Sequence, residues 1–396
     1  MNKIIYALAL CGCMGLGAQA QEKIDIKVTG RALFDAAAFS QNDASKAQDG
    51  ELQAGVGVRD IRVGVKATYG KWYFRGDMSY TNNAVSAKDV YLQYSFAKEN
   101  FIRAGHYTVP FGLSSAYSSA KKEYMDEPEA NIYQPGRRIG VMHTIYNHNF
   151  WGQYGLFADN SALTKSTDKS GPQGYTAAAR FVWRPIMNDN YGFHVGFSGM
   201  HVKAESTSEG KHAAIAYNKR YLTAIDKTSA TAINITDARW ENKFTAEFQG
   251  IYRNLQLSSQ YYWSHIAREN GNSYNTDGFY VSARGIIVNP GNYKYSYGDA
   301  GVNNPENKNL ELALGYGYLN LRDADAFTKN QAALDAGYTG IDLSNAGRMS
   351  DVTVGLSYFL NRYVTFRVNY HRIHVSNFGL ASKDVNVFQA RVQYIF

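Results

Sequence analysis

Cysteine, which can cross-link a fold, and proline, which interrupts regular secondary structure, are both scarce in this sequence. Its 396 residues include 2 cysteines and 7 prolines, and both cysteines lie within the first 20 residues. The remainder of the chain therefore has no thiol for a disulfide, a cysteine metal site or a cysteine nucleophile. No stretch after residue 20 approaches the roughly 18 apolar residues that a transmembrane helix requires. A disulfide framework and a helical membrane protein are both excluded.

The chain also has little excess charge of either sign. Lysine and arginine total 41 against 34 acidic residues, which gives a net charge of +7 spread along the chain. An excess this small does not indicate a nucleic-acid partner. Aromatic residues and glycine are abundant instead, with 31 Tyr, 20 Phe and 36 Gly at a mean hydropathy of -0.39. In a membrane, such a chain could be only a closed β-barrel, which pairs every backbone polar group in lipid.

The first 20 residues have the pattern of a secretory signal peptide. Lys3 precedes an apolar run over 4–10, and small residues end at Ala20 in an A-x-A cleavage pattern. We expect cleavage near Ala20 and a single mature domain over 21–396. An alternative interpretation makes Cys13 a lipidated residue, although Cys11 occupies a position where lipoprotein signals rarely place cysteine.

Segments along the whole chain alternate apolar and polar residues with the period of two that β-strands have. One side of 239–252 carries Trp240, Phe244, Ala246, Phe248 and Tyr252, interrupted by Asn242. The other side carries Arg239, Glu241, Lys243, Thr245, Glu247 and Gln249. A row of six polar side chains would be unusual in a sandwich core but suits a water-filled barrel interior.

The alternation predicts an all-β fold, a 16-stranded antiparallel transmembrane β-barrel. We place its strands near 24–39, 54–69, 71–82, 85–97, 101–108, 138–147, 150–159, 174–184, 190–204, 238–252, 255–267, 277–288, 309–322, 348–360, 362–377 and 384–396. Short and long connections alternate, as in outer-membrane barrels, and a barrel of this size leaves an aqueous lumen. The segment 289–308 is long where a short turn is expected. Either it folds into the lumen or a strand is misplaced.

Several stretches carry a family resemblance. AGHYTVPFGL at 104–113 and PGRRIGV at 135–141 are the strongest, supported by GRALFD at 30–35, GFYVSA at 278–283 and VGLSYFLNRYVTFRVNYHR at 354–372. They resemble the phosphate-selective porin O/P family of bacterial outer membranes. The resemblance covers most of the mature chain, while 205–237 and 323–347 diverge. It implies a homotrimer in outer-membrane lipid, whose third outer loop, here 109–137, folds inward as a constriction.

The resemblance also implies a pore lined by cations and an assembly signal. Guanidinium groups bind phosphate oxygens bidentately, and rings of cationic side chains select anions. The last residue, Phe396, closes an alternating strand and is similar to the signal that the barrel-assembly machinery recognises. By the resemblance, Arg31 matches a pore arginine, Asp89 an acidic residue beside the binding zone, and Lys121 and Lys122 lie near a phosphate-contacting lysine.

The full set of candidate pore and anion-binding residues combines the resemblance with strand parity. It comprises Arg31, Arg59, Arg62, Lys66, Arg75, Asp89, Arg103, Lys121, Lys122, Arg137, Arg138, Arg367 and Arg391. Arg59 has the lipid-facing phase by simple alternation, so an inward role requires a bulge or a position above the bilayer. Many relatives have a second arginine where this chain has Asp60, and a carboxylate among cations cancels attraction locally. Phosphate specificity is therefore in doubt even if anion preference survives.

These patterns favour a passive porin for small anions such as phosphate, with no enzymatic step, cofactor or metal. The plainer alternative for the interior cations is pairing with acids, as in any polar lumen. Likewise, Arg137 and Arg138 could anchor the loop to the wall. Two other functions remain open, a general or sugar diffusion porin and a barrel hydrolase, although no motif marks a catalytic triad. A structural or adhesive protein is disfavoured by the inward loop.

Overall fold

The computed structural model describes residues 23–81, 83–118, 120–158, 173–206, 212–269, 271–326 and 345–396. The predicted signal peptide and its cleavage site lie outside these ranges. No helix in the described ranges is long and apolar enough to cross a membrane.

Sixteen antiparallel strands form a closed barrel, in agreement with the alternating pattern. In chain order the elements are β1 (Asp25–Gln41), α1 (Asp43–Asp49), β2 (Gly55–Tyr69), β3 (Trp72–Thr81), β4 (Ala84–Ala97), β5 (Asn100–Thr108), β6 (Arg137–Tyr146), β7 (Phe150–Ala158), β8 (Tyr175–Met187), β9 (Tyr191–Lys203), β10 (Ile215–Arg220), β11 (Ser229–Ile235), β12 (Ala238–Tyr252), β13 (Leu255–Arg268), β14 (Tyr274–Val288), β15 (Tyr295–Ser296), β16 (Gly301–Val302), β17 (Asn309–Asn320), β18 (Gly347–Phe359), β19 (Val364–Asn377) and β20 (Lys383–Ile395). The hairpins β10–β11 and β15–β16 lie outside the barrel sheet. The predicted fold is confirmed, with the largest boundary differences being a few residues.

The strand faces are inverted relative to a soluble protein. Outward side chains are apolar and exposed, such as Val56 at 84%, Leu156 at 66% and Val368 at 58%. Inward side chains are mostly polar and buried, including Glu247 and Arg180. An apolar outside and a polar inside match the environment of a barrel in lipid.

The two ends of the barrel differ in the length of their connections. At one end, here called the turn end, most strands join through short turns at 70–71, 98–99, 147–149, 188–190, 253–254 and 360–363. The other end, here called the loop end, carries the longer connections. Among them are 42–54, 109–136 and 204–237. The first residue of β1 and the last residue of β20 both lie at the turn end.

The last residue of the chain takes part in closing the sheet. The backbone N–H of Gly30 donates to the carbonyl of Phe396, and the N–H of Phe396 donates to the carbonyl of Gly30, both at 2.9 Å. The Phe396 ring lies over Gly30, where a Cβ would stand 2.4 Å from the ring carbon Cζ and 2.9 Å from the Arg62 carbonyl oxygen. Glycine is therefore required at position 30 for the ring to cover the seam between β1 and β20.

Three connections fold into the barrel and fill much of the lumen. They are the constriction loop (109–136), the outer hairpin β10–β11, and the inner segment (289–308), which enters from the turn end and contains β15–β16. The constriction loop contains two 3₁₀ turns, Leu113–Ala116 and Glu129–Tyr133. The long segment 289–308 is thus an insertion into the lumen, because the strands on both sides of it, β14 and β17, pair with each other.

A side chain at position 30 should weaken the closing seam. Gly30→Ala places a methyl group against the Phe396 ring, and overpacking of this kind costs about 1–3 kcal/mol. We expect a lower urea midpoint for unfolding from lipid vesicles. Gly199→Ala is the matched control, because nothing lies within 4 Å of the Cβ it would add. Equal midpoints for the two variants would contradict the role of Gly30.

Candidate permeation pathway

The constriction loop is tied to the far wall of the barrel by cations that donate to its backbone. Arg367 on β19 donates from Nη2 to the Ala120 carbonyl at 3.4 Å and from Nη1 to the Lys122 carbonyl. Lys243 on β12 donates to the Tyr133 carbonyl at 3.2 Å. These charges satisfy loop carbonyls that would otherwise be buried unpaired. The prediction that this loop folds into the barrel is confirmed.

Polar contacts extend the attachment along β9, β13 and β14. Gly112 N–H donates to the Ser198 hydroxyl at 2.9 Å, and the Tyr262 hydroxyl donates to Asn131 Oδ1 at 2.6 Å. The Tyr124 hydroxyl lies 2.8 Å from the Ser282 hydroxyl. The loop therefore packs against one half of the barrel, and the lumen stays open beside the other half.

A buried acid fixes the second 3₁₀ turn of the loop. Glu129 is 0% exposed and fits a notch at Gly317 on β17, where a Cβ would stand 2.2 Å from Glu129 Oε2 and 3.0 Å from Asp351 Oδ1. Burial raises the pKa of Glu129, and the neighbouring Asp351 carboxylate raises it further. The raised pKa favours the neutral form of Glu129, in which two carboxyl groups can lie side by side with less repulsion.

The outer hairpin covers the constriction loop from the loop end. Lys219 on β10 donates to the carbonyls of Glu127 and Pro128, both at 3.2 Å. Gln389 on β20 donates to the Leu222 carbonyl at 2.7 Å. The hairpin thus stabilises the loop and narrows the loop-end mouth of the lumen.

The inner segment approaches the constriction loop from the turn end. Trp151 Nε1 donates to the Gly298 carbonyl at 2.9 Å, and Arg180 Nη2 donates to the Ala300 carbonyl at 3.2 Å. The N–H of Val302 donates to the Tyr117 hydroxyl at 2.8 Å, which joins the inner segment to the constriction loop. The two insertions therefore meet inside the barrel.

A cavity of about 840 Å³ lies between the constriction loop and the wall formed by β2 to β8. Its lining cations are Arg59, Arg62, Arg75, Arg103, Lys122, Arg137, Arg180, Lys219 and Arg220. Its lining acids are Asp89, Asp126, Glu127 and Asp299. Cations therefore outnumber acids around this cavity.

Arg59 reaches this cavity because of a β-bulge. Leu33 of β1 pairs with Asp60 and Phe34 pairs with Val58, so Arg59 is an extra residue on β2. The bulge turns Arg59 inward, where it forms a 2.9 Å ion pair with Asp126 of the constriction loop. The sequence required either a bulge or a position above the bilayer for Arg59 to face the lumen, and the structure shows the bulge.

Asp60 neutralises two of the candidate arginines. Its Oδ2 accepts from Arg31 Nε at 2.7 Å and from Arg62 Nη2 at 3.1 Å, and its Oδ1 accepts from the Ser79 hydroxyl at 2.5 Å. Arg31 also donates to the Ser118 hydroxyl of the constriction loop at 2.7 Å. Asp60 thus fixes the direction of both guanidinium groups and offsets part of their charge.

Asp89 on β4 also neutralises two arginines, and it lies closer to the turn end than Asp60 does. Its Oδ1 accepts from Arg137 Nε at 2.8 Å, and its Oδ2 lies 3.3 Å from Arg75 Nη2. Arg75 also donates to Asp77 Oδ2 at 2.6 Å. Arginine and aspartate therefore alternate along this wall in a connected network.

Two lining arginines keep buried donors without a partner in the described residues. These are the Nε atoms of Arg62 and Arg103. The Arg103 guanidinium lies 4.1 Å from the centre of the Tyr91 ring and donates to Gln93 Oε1 at 3.0 Å. Donors left over in a wet lumen can bind water or an anion.

The remaining candidates differ in exposure and in the groups that they contact. Lys66 is half-buried on the lumen side of β2, Lys121 is exposed on the loop, and Lys122 pairs with Glu127. Arg138 donates to Thr176. Arg391 forms a bidentate ion pair with Asp35 at 2.6 and 2.7 Å.

Six candidates do not line the cavity, namely Arg31, Lys66, Lys121, Arg138, Arg367 and Arg391. The four arginines among them are held by acids, hydroxyls or loop carbonyls, and contact of any of the six with a solute stays a prediction. Sequence reasoning missed Arg180, Lys219 and Arg220. The inward parity of Arg180 on β8 could have identified it, whereas the two others lie in a loop that has no periodic signal.

Comparisons with known proteins agree with this architecture. A family model described as "Phosphate-selective porin O and P" matches residues 26–396. A search of curated protein sequences finds no match. The anion-selective porin from Comamonas acidovorans has a similar structure, with a TM-score of 0.59 and 11% identity over 94% of this chain and 100% of that chain.

Two further solved structures are similar. The outer membrane channel DcaP of Acinetobacter baumannii has a TM-score of 0.57 and 13% identity over 96% of this chain and 99% of that chain. The trimer form of OmpT, an outer membrane protein of Vibrio cholerae, has a TM-score of 0.57 and 12% identity over 94% of this chain and 99% of that chain. At these identities the likeness concerns the fold.

Loss of Arg367 should loosen the constriction loop. Arg367→Ala removes two hydrogen bonds from a charged group to loop carbonyls, each worth about 1.5–3 kcal/mol. We expect larger and noisier single-channel currents in planar bilayers. Arg362→Ala is the control, since Arg362 is an exposed residue of a turn between β18 and β19. Identical current records for the two variants would show that Arg367 does not hold the loop.

Proposed function

The chain belongs to the phosphate-selective porin O and P family, and on that basis we propose that its channel passes small anions with a mild preference over cations. It is an outer-membrane porin, and its family and fold indicate a channel rather than an enzyme. The proposed solutes include phosphate and other small anionic nutrients, which would move down their gradients without a cofactor or a chemical step.

The excess of cations around the cavity carries the proposal. Arg62, Arg75, Arg103 and Arg137 face a space large enough for a small hydrated anion. Inside a lumen that loops have narrowed, charges on the wall are screened less than they are in bulk water. An anion passing the constriction exchanges part of its hydration shell for guanidinium donors. The similar structure from Comamonas acidovorans is that of an anion-selective porin, which is consistent with this preference.

The aspartates argue for a mild preference rather than tight phosphate binding. Asp60 and Asp89 each form ion pairs with arginines that face the lumen. These carboxylates offset part of the positive charge that would otherwise attract an anion. We therefore propose general selectivity for anions, with phosphate as one permeant solute.

The assembly in the membrane follows from the same premise. Short turns face the periplasm and long loops face outward in outer-membrane barrels, so solutes would enter at the loop end. We also propose a homotrimer, in line with the similar structure of OmpT in its trimer form. Export after cleavage near Ala20, and recognition of Phe396 by the barrel-assembly machinery, stay predictions.

A sugar or general diffusion porin is the second candidate, because Tyr91, Tyr107 and Trp151 also line the cavity. Aromatic rings in a pore could stack on sugar rings. The Arg103 guanidinium lies over the Tyr91 ring at 4.1 Å, and the Arg180 guanidinium lies over the Trp151 ring at 4.9 Å. Since two of these ring faces already carry arginines, the geometry favours anions.

Reversal potentials test the proposed selectivity. In a KCl gradient across a planar bilayer, the wild-type channel should pass chloride in preference to potassium. The double variant Arg62→Gln and Arg103→Gln should shift the permeability ratio toward unity by a factor of about two or more, because two fixed charges leave the cavity. Arg253→Gln, in a turn between β12 and β13, is the control. A cation preference in the wild type would reject the proposal.

Removal of one carboxylate should have the opposite effect. Asp60→Asn keeps the shape of the side chain but frees the charge of Arg31 and Arg62, so the preference for anions should increase. The same reversal-potential measurement reports the change. Asp25→Asn is the control, because Asp25 is exposed at the turn end and pairs with Lys27 at 3.2 Å. An unchanged or lower ratio for Asp60→Asn would mean that Asp60 does not limit selectivity.

A further inference from the structure

The outer wall of the barrel changes from apolar to polar along one line across β17 to β20. On β18 the outward residues between Val352 and Tyr358 are apolar, and Arg348 and Ser350 follow toward the loop end. On β19 the outward residues from Val364 to Tyr370 are apolar or aromatic, and Arg372 follows directly. The polar residues of neighbouring strands therefore form one surface rather than isolated exceptions.

The height of this line matches the outer edge of the lipid core. A tilted transmembrane strand crosses the hydrocarbon in about 9–11 residues. Counted from the turn end, that length takes β20 from Phe396 to Asn386 and β18 from Phe359 to about Ser350. On β19 the same count from Val364 reaches Arg372 as the ninth residue, which pairs with Asn386 of β20. Arg372 is thus at the outer edge of the hydrocarbon, and Arg348 is beyond that edge, among the outer lipid head groups.

Both arginines are exposed and lack an acidic partner within the described ranges. The acids and amides beside them are engaged elsewhere. His374 Nδ1 lies 2.9 Å from Asp384 Oδ1, and the Tyr370 hydroxyl donates to Asn386 Oδ1 at 2.8 Å. The two guanidinium groups are therefore charges of this surface that no acid in the described ranges neutralises.

The register fixes how far apart the two arginines stand. Arg348 pairs with Ser376, and Arg372 pairs with Val352, so the two lie on adjacent strands and four residues apart along them. Four residues of strand correspond to roughly 13 Å. This separation is too long for one phosphate group and suits a head group that carries more than one.

We propose that Arg348 and Arg372 form a binding site on the outer wall for a phosphorylated glycolipid of the outer leaflet. The phosphate groups bind the guanidinium forks, and the acyl chains lie along Val352, Leu356, Val368 and Phe388. Arginine binds phosphate bidentately, and basic residues at the edge of a membrane recognise anionic head groups. The site lies on the lipid-facing side of β18 and β19, whereas the permeation cavity lies inside the barrel beside β2 to β8. The proposal therefore does not depend on the proposed selectivity.

A lipid fits this surface better than a second copy of the chain. A copy would have to bury two unpaired arginines, which costs several kcal/mol per charge unless it supplies acids at both positions. The apolar strip below the arginines continues unbroken toward the turn end, as acyl chains require. A soluble anion would use the arginines but not this strip.

The experiment compares bound glycolipid in matched variants of the full barrel. Wild type and the double variant Arg348→Gln and Arg372→Gln are extracted from outer membranes in mild detergent, and native mass spectrometry counts phosphorylated glycolipid per barrel. Purified lipid A is then added to delipidated protein. We expect about a tenfold loss of binding in the double variant and no loss in Lys203→Gln with Arg239→Gln, which removes two cations at the loop ends of β9 and β12.

Two results would overturn the proposal. One is equal glycolipid binding in wild type and the double variant. The other is loss of self-association in the double variant with glycolipid unchanged, which would assign the arginines to contact between copies. Heat-dependent migration on a gel verifies that each variant keeps a folded barrel, and Arg348→Lys with Arg372→Lys should retain most of the binding because the charges remain.

Discussion

Closure of the sheet is the constraint on which the rest of the structure depends. A strand exposed to lipid must pair both of its edges, because no water is available for unpaired backbone groups. The chain meets this condition by pairing β1 with β20 along most of their length, down to the two hydrogen bonds between Gly30 and Phe396. A ring of sixteen strands is wide, however, and its interior cannot be filled by the strands' own side chains.

The connections fill that interior, and buried charges hold them there. Arg367 and Lys243 donate to the backbone of the constriction loop, while Arg180 holds the inner segment. The same residue type performs a different task on the opposite wall, where Arg62 and Arg103 face the cavity. The position of the loop decides which arginines stabilise the fold and which can meet a solute.

The sequence predicted the strands well because their evidence is local. Alternation of faces appears within ten residues, as in Trp240 to Tyr252, and does not depend on distant parts of the chain. The long segment 289–308 could be recognised as irregular, but its path depends on contacts with Trp151 and Arg180, which are remote in sequence. The sequence alone could not decide whether this segment folds into the lumen or contains a misplaced strand.

Candidate site residues were harder to assign for the same reason. Parity correctly turned Arg62 and Arg75 inward, and failed for Arg59, because a bulge adds one residue to β2. Parity also could not distinguish Arg367 from Arg103, since both face inward and only the course of the loop separates them. Lys219 and Arg220 lie in a loop hairpin and left no periodic signal.

The central claim is that ions pass between the constriction loop and the wall of β2 to β8. Protein produced from residue 21 onward contains no cysteine, so a single cysteine can be placed at Ser115, which lines the cavity. Single-channel current would be recorded while a charged, thiol-reactive reagent is added, with Val368→Cys on the outer wall as the reference. The account predicts a stepwise fall in current for Ser115→Cys and none for Val368→Cys. An unchanged current after complete modification of Ser115→Cys would contradict it.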